Sequence, residues 1–327
     1  MDIPRHWWAS IVLLLILLLS AEICARFLLA PVGDNLWAYD SASLSRSFEW
    51  YRQQTQNGTT PRIVAIGDST GARNFDPASF SEVVAIDDVY SLARAGNFPR
   101  AMRSNTLPLL DTESVPERVI LMQWPGSLRD DPRTDQIEAG MVSSILEARI
   151  DDRFIITDYI QITRLFRARS YLLDFWIRDE PLVRRAENNG FDPFVRRGDD
   201  GDAGLGASVL SPEEFTFSEA RRDVTRALLN IATRRSFVVI AVVGPFFSGT
   251  DFAIGNEHLF WLKGLERQHC ANLVVLDLRS IPELAPESFK DNHHLFEDGA
   301  KMFTRALGIK IRDLRERDLS TRDACSM

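Results

Sequence analysis

The sequence predicts a three-layer α/β/α domain on a parallel sheet of about five strands, with one N-terminal transmembrane helix and a helical insertion. Three observations carry this expectation. Short β-rich apolar runs alternate with stretches long enough for crossover helices. An apolar run near the N-terminus is long enough to cross a bilayer. Between residues 130 and 235 the pattern changes to apolar positions at three- and four-residue steps.

The strand candidates, in order, begin with Arg62 to Ile66, which stops at Gly67. Val83 to Ile86 with Val89-Tyr90, Arg118 to Met122, Phe237 to Val243 and Leu273 to Leu276 follow. Such near-continuous apolar runs suit parallel strands buried on both faces. A parallel sheet places its chemistry at the carboxyl ends of its strands. In the 130–235 segment, Gln136 to Ile150, Asp158 to Ile177 and Pro212 to Ala232 read as helices. The Gly- and Asp-rich stretch Arg197 to Gly204 lacks the EF-hand spacing and terminal Glu, so it reads as a solvated loop.

Trp7 to Leu29 makes a 23-residue helix, enough for a hydrocarbon core of about 30 Å. Glu22 and Arg26 stand four apart and can pair near one interface, while Trp7 and Trp8 suit the other. A cleaved signal peptide is the rival, but Ile23 spoils the small-residue site at Ala25. The expected organisation is therefore an anchor at 7–29, a juxtamembrane segment at 30–60 and a domain at 61–327. A short tail before a single anchor leaves that domain outside the cytoplasm, periplasmic or extracellular.

A net charge of −8 gives no electrostatic basis for binding nucleic acid. Three cysteines are too few for a disulfide framework; Cys270 and Cys325 could pair, yet Cys270 reads as a half-buried free thiol. No His/Cys cluster has zinc spacing, and no cofactor or metal is implied.

Gly67-Asp68-Ser69 follows the first strand directly. A serine in the turn after a central strand projects its hydroxyl into the crevice, where free N–H groups of a starting helix also point. A plain Asp or Ser helix cap is the competing reading. A serine nucleophile needs a base, and the base needs an acceptor that fixes its tautomer. Asp291 and His294, three apart on one loop, suit those roles, with His293 as competitor for the base. Behind them Ala300, Phe303, Leu307, Ile311 and Leu314 line one face of an amphipathic helix that would hold the loop.

These blocks resemble the SGNH (GDSL-type) hydrolases. The nucleophile block corresponds to Gly67-Asp68-Ser69 and the Asp-x-x-His block to Asp291 and His294. The glycine block looks like Ser91 to Asn97, implying that Gly96 supplies an oxyanion N–H. The asparagine block departs: Gln123-Trp124-Pro125-Gly126 stands where Gly-x-Asn-Asp belongs, leaving Gln123 or Asn97 as substitute donors. The runs Asn74 to Phe80 and Leu92 to Pro99, with the residues around Gly299-Ala300 and Phe303-Thr304, resemble a membrane-anchored bacterial branch. That branch includes the D-alanine-transfer protein of teichoic-acid modification and relatives near envelope polysaccharide acylation systems.

The resemblance implies a flavodoxin-like parallel sheet and a serine esterase or acyltransferase. The expected substrate is an acyl ester, of acetyl type, on an envelope glycan or lipid, and a membrane-bound acyltransferase is the expected partner. The alternative is a catalytically weak module that presents a glycan to such a partner, for which the missing asparagine block would be the mark.

Overall fold

In the computed structural model the described residues are 50–130, 216–247 and 250–318, with isolated positions at 13, 16–18, 20, 48, 191 and 193–194. The chain divides into two units, 1–46 with 139–182 and 47–138 with 183–327. The second holds the sheet. Most of the expected anchor, and the helices expected at 136–150 and 158–177, lie outside the described residues. Leu13, Ile16, Leu17 and Leu18 are helical and exposed. Among the described residues no helix is long and apolar enough to cross a membrane.

Five strands form one all-parallel sheet: β1 (Ile63–Gly67), β2 (Val89–Ser91), β3 (Arg118–Met122), β4 (Val238–Val243) and β5 (Leu273–Asp277), in the order β2-β1-β3-β4-β5. That is the doubly wound flavodoxin-like order, whose switch point falls between β1 and β3. Side chains alternate across each strand. Ile63, Ala65, Ile120, Met122, Ile240 and Val242 share one core with Phe75, Phe80, Phe303, Leu307 and Ile311. Their neighbours Val64, Ile66, Val119, Leu121 and Val239 face the other way and are also buried.

Helices α1 (Ser69–Asn74), α2 (Pro77–Val84) and α7 (Glu297–Asp318) cover the first face. Helices α3 (Pro99–Asn105), α4 (Leu107–Leu110), α5 (Glu219–Arg235) and α6 (Thr250–Gln268) are also among the described residues. The expected face of α7 is seen: Ala300, Phe303, Leu307 and Ile311 are buried. The edge strand β5 is sealed by α6, where Glu266 accepts the Val275 N–H at 2.7 Å and Lys263 donates to the Val275 carbonyl at 2.9 Å. Such sealing blunts an edge that would otherwise template pairing.

Four expectations are corrected. Val83 and Val84 are not strand but the end of α2, which starts with Asp76 as N-cap and Pro77 in its first turn and stops at the left-handed Ala85 (φ 53°). Helix α5 packs on α3 and leads into β4, so it is the sheet's own crossover, inside the span read as an insertion. Residues 50–56, expected in the juxtamembrane segment, are helical and join the core: Tyr51 is fully buried and Trp50 stacks on Tyr90 at 4.1 Å. Cys270 is not a free thiol but disulfide-bonded.

Candidate active site

Strand β1 ends at Gly67, whose φ of +143° favours glycine; a Cβ there would lie 1.7 Å from the Met122 carbonyl oxygen. This close approach at the switch point turns the chain sharply into α1. Asp68 caps that helix, its Oδ1 accepting the Thr70 N–H at 2.9 Å. The capping alternative thus applies to Asp68, and Ser69 is left as the first helical residue, half-buried. At that position its N–H has no intrahelical acceptor.

Asp68 is fully buried, and its Oδ2 accepts the Trp124 N–H at 2.9 Å. Burial pushes its carboxyl above the usual range, opposed by the two N–H bonds. The Trp124 ring in turn stacks on His293, centroids 4.7 Å apart and planes 9° off parallel. The segment after β3 therefore bridges the Gly67–Ser69 turn and the histidine loop.

That loop is built around Asp291. Its Oδ2 lies 2.7 Å from His294 Nδ1, and its Oδ1 accepts the N–H groups of His293 at 3.0 Å and His294 at 2.9 Å. This is a local Asx turn rather than a cap of α7. The loop is also tied to the end of β4, where the Phe247 N–H donates to the Asn292 carbonyl at 2.8 Å. Burial alone would raise the Asp291 carboxyl. The His294 bond, both imidazoles and the His293 N–H outweigh it and hold the group well below the carboxylate range. Burial lowers the pKa of His294, with the His293 and Arg73 charges assisting and Asp291 opposing.

His294 Nε2 is buried and has no hydrogen-bond partner among the described residues, so no bond joins it to Ser69. Asp291 and His294 are brought together; the last contact of a triad is not made. Asp291, His293 and His294 also offer ligand atoms within 4.8 Å of one another and could hold an ion.

The oxyanion candidates separate. Gly96 has φ +77°, which favours glycine, in the turn after β2. Asn97 is fully buried and its amide donates to the Gly67 carbonyl (3.4 Å) and to Thr106 Oγ1 (3.0 Å), while its N–H donates to the Arg94 carbonyl. With both amide hydrogens committed, Asn97 braces the turn and has none to offer an oxyanion. Gln123 differs: it is 4% exposed, and neither amide atom has a partner among the described residues.

One neighbour escaped the sequence reading. Phe194, from the span read as insertion, meets His294 edge-on at 5.6 Å and carries the Arg73 guanidinium over its ring at 4.4 Å. Nothing in the local sequence around Phe194 signals this.

No family model matches the sequence, and no curated protein matches it. Among solved structures the chain is similar to one from Desulfitobacterium hafniense DCB-2, designated a lipolytic protein of the G-D-S-L family. The identity is 13% over 76% of this chain and 99% of that chain, with a TM-score of 0.40.

Proposed function

We propose that the chain is a membrane-anchored serine esterase or acyltransferase of SGNH type, acting on acyl esters of envelope glycans or lipids. The observation that carries the reading is the Asp291–His294 pair: Nδ1 is anchored at 2.7 Å, and the buried Nε2 has no partner among the described residues. In this reading Nε2 removes the Ser69 proton and Oγ attacks the acyl carbonyl carbon. The tetrahedral oxyanion is held by the N–H groups of Ser69 and Gly96 and by the Gln123 amide. As the intermediate collapses, the ester C–O bond breaks and the protonated His294 returns its proton to the leaving alkoxide. Water then regenerates Ser69 in an esterase, and a sugar hydroxyl does so in an acyltransferase.

Placement outside the cytoplasm is supported by the disulfide at Cys270, a bond that persists in oxidising compartments. The exposed helical Leu13, Ile16, Leu17 and Leu18 support an anchor. The open Ser69–His294 contact and the missing asparagine block favour one second reading, a glycan-presenting module working with a membrane-bound acyltransferase.

The test is fluorophosphonate labelling of the full chain with and without Ser69→Ala, together with hydrolysis of a small acetyl ester, each repeated with a metal chelator. Serine-dependent labelling and chelator-insensitive turnover are expected. Full labelling of Ser69→Ala would overturn the nucleophile assignment, and loss of turnover on chelation would point to an ion at Asp291, His293 and His294.

A further inference from the structure

We infer that Asn74 is a positioning residue that sets His294 against the helix bearing Ser69; the inference rests on the catalytic reading above. Asn74 closes α1, five residues after Ser69, and its side chain is fully buried. Its amide Nδ2 donates to the His293 carbonyl at 2.7 Å, and its Oδ1 accepts the Leu295 N–H at 2.9 Å. These two backbone groups flank His294 on either side. One side chain thus clips the loop at both peptide units next to the base, across more than 200 residues of sequence.

The clip is itself held. The Asn74 carbonyl accepts the Thr304 hydroxyl at 3.0 Å, and the same Oγ1 accepts the Asp76 N–H at 3.0 Å, which locks the end of α1 to α7. The His294 carbonyl accepts the Lys290 N–H at 2.9 Å, so the loop closes on itself as well. Asp291 fixes the plane and tautomer of the imidazole; Asn74 fixes where that imidazole stands relative to Ser69. Asn74 touches neither ring nor carboxylate in this network, so it acts on the imidazole and its Nδ1 bond only through the backbone of the loop. A backbone shift of 1 Å at a base costs about 10²-fold in rate, so the clip acts on reaction rather than on binding.

The test uses Asn74→Ala and Asn74→Asp in the full chain. The aspartate fills the same volume and keeps the acceptor for Leu295, but sets an anionic oxygen against the His293 carbonyl. Two quantities are read on folded protein: the maximal fluorophosphonate labelling rate with its half-saturation concentration, and the NMR exchange protection of the His294 Nδ1 proton. The expected result is a maximal rate lower by about 10²-fold, unchanged half-saturation and a faster-exchanging Nδ1 proton. Should alanine leave a cavity that unfolds the chain, aspartate decides. A lower melting temperature with unchanged labelling rate and unchanged Nδ1 protection would overturn the inference. If Ser69→Ala still labels, the catalytic reading falls while the NMR readout continues to judge the clip.

Discussion

Asp291 holds His294 twice, by its ring and by its backbone: Oδ2 meets Nδ1 at 2.7 Å while Oδ1 accepts the His294 N–H at 2.9 Å. Asp291→Asn keeps the shape but lets the amide compete for the wrong imidazole tautomer. We expect a fall in labelling rate on the order of 10⁴-fold. Asp291→Ala should additionally loosen the turn and lower the melting temperature. A rate within threefold of the parent (about 0.7 kcal/mol) in Asp291→Asn would sink the role given to this carboxylate.

In the proposed reading His294 works as base only when neutral, and burial, then His293 and Arg73, hold its pKa below the ordinary 6.5. Labelling should therefore rise with pH through a midpoint below 6.5 and stay flat above it. Arg73→Gln removes a repelling charge and should move the midpoint upward. A midpoint above 6.5 in the parent would contradict the sign of the burial effect.

Gln123 poses a trade of stability against activity. A buried amide with no partner costs about 1–3 kcal/mol, so Gln123→Leu should raise the melting temperature. If the amide serves the oxyanion, the same change lowers labelling by about 10²–10³-fold. Thermal unfolding and labelling measured on one preparation decide the matter. A stabler protein with undiminished labelling would remove Gln123 from the site.

Gly67→Ala should be among the most damaging single changes. Its methyl would overlap the Met122 carbonyl oxygen, at 1.7 Å, on backbone that neither strand can move cheaply. A loss above about 4 kcal/mol, seen as insoluble expression or an early urea transition, is expected. Wild-type stability would show that the β1–β3 approach is looser than described.

His258 predicts the acid behaviour of the fold. It lies on α6 among Phe217 and Trp261, and burial, then the Arg222 charge, lowers its pKa to about 3. The unfolded chain therefore binds its proton more readily than the folded one. Stability contributed by neutral His258 is complete above 6.5 and lost as pH falls toward about 3. In urea titrations at about pH 7 and 5, His258→Phe should lose less stability on acidification than the parent. Equal losses would refute the prediction.

The sheet was legible because β1, β3, β4 and β5 are unbroken apolar runs of parallel-strand length. The run at Val83–Ile86 is equally apolar, and composition alone cannot tell such a run from a buried helix turn. The Asp76-Pro77 start signal could have decided it. Within the site, Asp291 and His294 could be read together since they share one turn. Asn74 and Phe194 could not, because their partners are remote in sequence and only the tertiary fold brings them near.

The clip between Asn74 and the peptides flanking His294 has a consequence for the order of biosynthesis. Asn74 is made more than 200 residues before the loop that it clips, and Thr304 on α7 must follow before the junction is complete. In the proposed reading a growing chain therefore carries Ser69 without its base until the loop around His294 has been made. In that reading, His294 is set against Ser69 only once α7 has docked, so a chain still being made does not act on ester bonds.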